Sequence, residues 1–265
     1  MASPSIPRMQ LKQWVMIAGA CAAVVLSMSC AKQRVTHSKG DGASGDIATC
    51  DQLTAKHKYE KAIECLQIYK SRYAGTPQAA QAELTIGDNL FQQKEFLMSA
   101  EAYEDFLRNH PLDARADYAF YRMGAAYFAA APKAIDRDQE HLDEAVKAFE
   151  TQLQLFPQSK YHEATQSALR SARIRLGKRH YYIGNFYYRT GEYLAAIPRL
   201  STAISEYPEI PELPRAAYQL ARAYLKMNDA DDARRVYSAM ESQLPKNPWT
   251  VKTEHLLRSR HDHGN

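Results

Sequence analysis

The stretch GNFYYRTGEYLAAIPRLSTAISEYP, residues 184–208, decides the fold. Its last residue, Pro208, closes an apolar run, because proline cannot continue a helix. Twelve residues before it stands a small residue, Ala196. Tyr193 lies three residues before Ala196, Leu200 four after it, and Gly184 twelve before it. The same spacing recurs. Before Pro111 it gives Gly87, Phe96, Ser99 and Tyr103; before Pro245 it gives Ala221, Ala230, Ala233 and Tyr237. Before Pro157 it gives Leu142, Ala145 and Phe149, but Lys133 falls where the first small residue belongs, and Gly124 with Tyr127 fills that place. A degenerate copy precedes these: Cys50, Tyr59, Ala62 and Leu66, with Ala74 at the proline position and Pro77 three residues later.

This is the pattern of the tetratricopeptide repeat, in which small residues on two antiparallel helices permit close packing and aromatic residues fill the gaps. The predicted fold class is all-α, a superhelical solenoid of about five helical hairpins. Repeats are expected at about 48–77, 80–111, 117–161, 177–208 and 214–245, within a domain spanning 48–250. Composition agrees, since alanine and 17 tyrosines outweigh isoleucine and valine and only 11 glycines punctuate the chain. The proline positions lie 37, 46, 51 and 37 residues apart, against a nominal repeat of about 34. Longer helices and an insertion at Pro132–Asp138 account for the excess. Such arrays present an extended concave surface suited to binding other proteins.

The first residues read as an address. Arg8 and Lys12 precede an uncharged run from Trp14 to Ser29, short for a membrane span and suited to a signal peptide, 1–29. Leu26-Ser-Met-Ser-Cys30 resembles a bacterial lipobox, making Cys30 the expected lipidation site. Ala31 after it is compatible with the outer membrane. Residues 30–47 read as the lipidated N-terminus and a flexible tether, and 251–265 as a charged tail that frays. In an oxidising compartment Cys50 and Cys65, on the two helices of one hairpin, form a disulfide; the other reading is two buried small hydrophobes.

The net charge of +4 is spread over interleaved acids and bases, which argues against a nucleic-acid partner. No phosphate loop, H-E-x-x-H or G-x-S-x-G is present. No catalytic residue, metal site or cofactor is therefore expected; His261-x-His263 is read as part of the tail. Tyr187 falls on a packing position, while Tyr182 and Tyr188 are expected to be more exposed.

Four stretches are similar to the BamD family of outer-membrane β-barrel assembly lipoproteins: Asp117-Tyr-Ala-Phe-Tyr-Arg-Met-Gly124, Asp136-Arg137-Asp138-Gln139, Ala145 to Phe149 followed by Phe156-Pro-Gln-Ser-Lys-Tyr161, and Phe186 to Arg199. The resemblance covers about residues 48–250. It implies a non-enzymatic scaffold on the periplasmic face of the outer membrane, held by its lipid anchor. The implied partners are the periplasmic domains of BamA, other lipoproteins of the assembly machine, and the targeting strands of nascent barrel proteins. Arg199 matches the family's BamA-contacting arginine, with Tyr188 and Glu192 beside it. Pro198 departs from what a helix interior expects. Asp136, Arg137 and Asp138 are expected to tie down the insertion. Tyr69, Tyr73, Phe91 and Phe96 are candidates for a peptide groove. The alternative is another lipoprotein of the same fold, such as a pilus-assembly pilotin or a cell-wall or division coordinating factor. Labelled fatty acid is expected to enter the native protein and to be absent from Cys30→Ala; an unlabelled native chain would remove the anchor.

Overall fold

A computed structural model describes residues 42–263. Cys30 and the signal segment lie outside the described residues. Eleven helices follow one another: α1 (Gly42–Ala55), α2 (Tyr59–Arg72), α3 (Pro77–Gln92), α4 (Phe96–Asn109), α5 (Ala116–Ala130), α6 (Glu140–Leu155), α7 (His162–Thr190), α8 (Tyr193–Ser205), α9 (Leu213–Lys226), α10 (Ala230–Gln243) and α11 (Pro248–His263). Each packs on the helix before and after it, so the first ten form five consecutive hairpins. The odd-numbered helices α5, α7 and α9 also touch one another, and the outer helices α4, α6, α8 and α10 have no comparable contact. A stack whose first helices are closer than its second helices curves toward the first, so α3, α5, α7 and α9 line the inner side.

The hairpins close where the repeat spacing demands it. A Cβ on Gly87 would lie 2.8 Å from the Tyr103 ring, one on Gly124 2.6 Å from the Phe149 ring, and one on Gly184 2.9 Å from Leu200. In α4, α6 and α8 the side chain four residues past the small residue thus lies directly on the glycine of the inner helix. Tyr103, Phe149 and Leu200 are each fully buried. Truncating such a ring costs ~3–5 kcal/mol. Ser99 Oγ also donates to the Gly87 carbonyl at 2.8 Å. In the last hairpin Ala221 and Ala233 share one core cluster. In the first, Cys50 occupies the glycine's place and is bonded to Cys65, with Cα atoms 5.5 Å apart.

The turn inside a hairpin repeats as well. His57 (φ 57°), Lys94 (φ 66°), Gly191 (φ 85°) and Asn228 (φ 62°) are all left-handed, and each stands two residues before its second helix. Only glycine adopts this conformation without a steric penalty. Between hairpins, α4, α6, α8 and α10 stop two or three residues before Pro111, Pro157, Pro208 and Pro245, as the residue before a proline is pushed out of the helical region. Thr76 caps α3, its hydroxyl accepting from Ala79 N at 3.2 Å with Pro77 in the first turn.

Three expected boundaries shift. The fourth hairpin begins at His162, because α7 runs for 29 residues without a proline to stop it. Residues 42–47, expected in the tether, belong to α1. The expected frayed tail forms α11, whose Thr250 and Thr253 are buried and whose Leu256 and Leu257 cover the cluster of Ala221, Leu225 and Ala233. An array of repeats needs such a cap because its last hairpin has no neighbour to cover it. The tail's charges disguised this: its apolar residues are few, and they matter only against the surface they cover. None of the described helices is long and apolar enough to cross a membrane.

Lys94→Gly should raise stability by roughly 0.5–1 kcal/mol and Gly191→Ala should lower it by roughly 1–2 kcal/mol in denaturant unfolding. The same sign for both substitutions would contradict a shared left-handed turn.

Candidate protein-binding surfaces

The inner side of the second and third hairpins holds a polar cluster around Asp88 of α3. Its Oδ1 accepts from the Tyr103 hydroxyl at 2.7 Å and the Tyr118 hydroxyl at 2.5 Å. Arg122 Nε lies 3.1 Å from the same oxygen, and its guanidinium sits 4.4 Å from the centre of the Phe91 ring. Burial first, and then the Asp88 carboxylate, push both phenols up, so they stay protonated donors. The cluster joins α3, α4 and α5 on the wall of an open groove of about 470 Å³, lined by Gln81, Leu84, Asp88, Arg115, Tyr118 and Tyr161 among others. Arg115 holds Asp113 with two short bonds of 2.6 and 2.8 Å and reaches Gln81 Oε1 on α3 at 2.9 Å. The hydrogen bonds from Arg115 hold the Asp113 carboxyl down to about 2. A carboxyl lowered in the fold favours the folded state above its free value near 4, and that contribution is lost as the pH falls through about 2.

Two stretches far apart in sequence meet at this groove. Ser159 Oγ donates to Asp117 Oδ2 at 2.7 Å. The Tyr161 ring stacks on Tyr121 with centroids 5.4 Å apart and an interplanar angle of 9°, and also touches Tyr118. The motif that opens α5 and the one that follows Pro157 are therefore two sides of one contact. Neither motif's residues were singled out as groove residues from sequence. The signal available was the i, i+4 pairing of Asp117 with Tyr121 and of Tyr118 with Arg122, which places both pairs along one side of α5.

Of the four aromatic groove candidates, Tyr69 is core, 2% exposed within the first cluster, and is withdrawn from the groove. Its position on α2 faces α1 and α3 together. Tyr73 is half-buried against it, its hydroxyl donating to Asp46 at 3.2 Å. Phe91 and Phe96 form an edge-to-face pair at the turn of the second hairpin, with centroids 5.1 Å apart. Neither lines the groove, and Phe91 lies beneath Arg122.

The insertion is held differently from the expectation. Asp136 and Arg137 are exposed and make none of the side-chain bonds that pin it, and Asp138, 78% exposed by its side chain, has one loose pair with Arg179 at 3.6 Å. The buried Gln139 does the tying, its amide donating to the carbonyls of Pro132, Ala134 and Arg137 at 3.0–3.3 Å. Arg175 of α7 adds a bond to the Pro132 carbonyl at 2.6 Å. A loop with several inward carbonyls needs a multiple donor, which carboxylates are not. Glu192, just before α8, and Arg199 on it are exposed, and no ion pair joins Arg199 to Glu192 or Glu206 among the described residues. Pro198 sits inside α8 without breaking it. It faces solvent, as does Leu194, whose carbonyl would otherwise accept from position 198. Tyr188 is half-buried under Arg222, and Tyr182 is exposed.

Five hairpins, a capped end and open inner grooves define a tetratricopeptide-repeat protein of the protein-binding class. Residues 48–239 match the family model YfiO, described as outer membrane lipoprotein. The chain belongs to that family. Among its relatives, the outer membrane protein assembly factor BamD of Neisseria gonorrhoeae is 29% identical over 213 residues, covering 75% of this chain and 78% of the relative. BamD of Rickettsia prowazekii is 25% identical over 207 residues, covering 78% and 82%. Among solved structures, a thermophilic tetratricopeptide protein of Thermus thermophilus matches with a TM-score of 0.36 and 18% identity, covering 82% of this chain and 97% of that one.

Asp88→Ala leaves Arg122 and two phenols without their shared acceptor. It should lower unfolding stability by about 1–2 kcal/mol, discounted because Asp88 is half-exposed, while Asp51→Ala on the surface should stay within about 0.5 kcal/mol.

Proposed function

We propose that this chain is a non-enzymatic scaffold of outer-membrane β-barrel assembly, anchored through a lipid on Cys30 to the periplasmic face of the outer membrane. The observation that carries the reading is the family match over residues 48–239, with relatives named as assembly factors across three quarters of the chain. In this reading the C-terminal hairpins hold the periplasmic domains of BamA. Arg199 and Glu192, exposed on and beside α8, make the contact, and Tyr188 supports it from α7. An exposed arginine without an intramolecular carboxylate is free to pair across an interface, where truncating one partner of a charge pair costs ~2–5 kcal/mol when the pair is buried.

The groove between α3 and α5 receives the targeting strand of a nascent barrel protein. Its floor offers the Tyr118 and Tyr161 rings and its walls offer Asp88, Arg115 and Gln81, a mixture that meets an extended chain with both apolar and backbone polar groups. Tyr73, Phe91 and Phe96 border this half of the array. Other lipoproteins of the assembly machine join the same complex, and the scaffold works by binding without a cofactor.

Depletion of the protein should lower the amount of folded barrel proteins in the outer membrane while lipoprotein and inner-membrane levels hold. Arg199→Glu should reduce co-purification of BamA by about tenfold or more. Unchanged barrel levels on depletion would falsify the assembly role and leave the pilotin or cell-wall alternatives; unchanged co-purification would remove only the role of Arg199.

A further inference from the structure

The inner helices of the C-terminal half carry one sign of charge. From Ala164 to Thr190, α7 contains no aspartate or glutamate, and α9 contains none at all. The neighbouring outer helix α6 has Glu140, Asp143, Glu144 and Glu150. The inner helices of the N-terminal half are mixed, with Glu83 and Asp88 on α3 and Asp117 and Arg122 on α5. The outer helix between them, α8, also lacks acids and carries Arg199, and Arg173 and Arg179 of α7 are paired with Glu209 and Asp138. The unpaired cations of the inner helices are those toward the end of α7 and on α9.

These residues are also arranged for contact. Tyr182, Asn185, Phe186 and Arg189 fall at i, i+3, i+4 and i+7 on α7, and Arg215, Tyr218, Gln219 and Arg222 fall at the same intervals on α9, so each set shares one helix face. The faces are joined by Gln219 Nε2 donating to Asn185 Oδ1 at 2.8 Å. Beyond α9, Trp249 of α11 lies 5.2 Å from Tyr218, with Lys252 4.3 Å and Arg215 5.9 Å from its ring. Arg222 lies 6.0 Å from the Tyr188 ring. Arg189, Arg215, Arg222 and Lys252 are all exposed, and none forms an ion pair among the described residues. Burial raises the pKa of the Tyr181 phenol, Arg215 lowers it, and Glu212, the residue before α9, raises it. Phe186, 57% exposed, and Tyr182 add apolar surface beside a hollow of about 390 Å³ that they line with Arg189.

We infer that the inner face of α7, α9 and the start of α11 is a docking surface for an acidic, extended segment of a partner protein. Its carboxylates pair with Arg189, Arg215, Arg222 and Lys252, and its apolar side chains rest on Tyr182 and Phe186. Guanidinium groups held beside aromatic rings lose little further freedom on pairing, and they bind planar carboxylates through two bonds at once. The face lies inside the curve of the array, where a single extended chain can follow it and a flat bilayer cannot. It differs from the Arg199 and Glu192 surface on α8, and Tyr188 serves it only as the ring beneath Arg222. The inference goes beyond the assembly reading and can fail without it.

The test uses the full lipid-bearing chain in detergent micelles. The probe is a short fluorescein-labelled peptide of Asp and Glu around one tyrosine, compared with its Asn and Gln counterpart by fluorescence anisotropy. The acidic peptide should bind, its affinity should fall as salt rises, and R189Q with R222Q should weaken it about tenfold or more. R234Q with R235Q on α10 should leave binding within about twofold, and circular dichroism should show both variants equally helical. Equal binding of the acidic and neutral peptides would overturn the proposal. So would undiminished binding by the inner-face variant, or binding to phosphatidylglycerol vesicles without binding to the peptide. Barrel-protein levels on depletion report the assembly reading separately.

Discussion

The structure depends on a side chain lying flat on a glycine. Tyr103 on Gly87, Phe149 on Gly124 and Leu200 on Gly184 bring the two helices of a hairpin closer than any Cβ would permit. The gain is burial of a large side chain against backbone with no void left, which close-packed interiors reward. Because each outer helix covers only its own inner helix and the next, the array grows by repetition, and its two ends need separate solutions. At one end Cys50, standing where the glycine belongs, is bonded to Cys65; at the other, α11 covers the exposed core of the last hairpin.

The same constraint makes the inner surface. Inner helices held at short range also turn residues outside the core, such as Asp88, Arg122, Arg189 and Arg222, toward the concave side. They are free to carry polarity, and the two halves of the array use that freedom differently. Around α3 and α5, Asp88 gathers Tyr103, Tyr118 and Arg122 into a neutralised cluster. At the other end Arg215 and Arg222 of α9 and Lys252 of α11 stand beside aromatic rings with no ion pair among the described residues, whereas Arg173 of α7 is held by Glu209. One scaffold thus offers two chemically distinct grooves.

Irregularities in the array have local causes. The insertion between α5 and α6 is organised from within by Gln139, whose amide bridges three carbonyls, and from α7 by Arg175. Burial lowers the pKa of Arg175, yet its partners are carbonyls that need only a donor. This leaves Asp136, Arg137 and Asp138 pointing their charges outward, available to solvent or to another chain. The extra length of α7 supplies the turns that reach the insertion, so the two departures from regular repeat length support each other.

The sequence by itself determined the repeat, its proline stops and the all-helical class, because those follow from spacing along one chain: a small residue, an aromatic four positions on, a proline twelve positions on. Cys50 and Cys65 could be placed on facing helices for the same reason. It could not separate Tyr69, which is core, from Phe91, which is half-buried beneath Arg122, since both are aromatics at helical spacing and only the neighbouring hairpin decides which face is covered. It could not find that Asp117 meets Ser159, that Gln139 and Arg175 hold the insertion, or that α11 caps the array. Those contacts join residues whose separation in sequence carries no period. They exist only once the packing of glycine against side chain has set how far apart, and at what angle, successive hairpins stand.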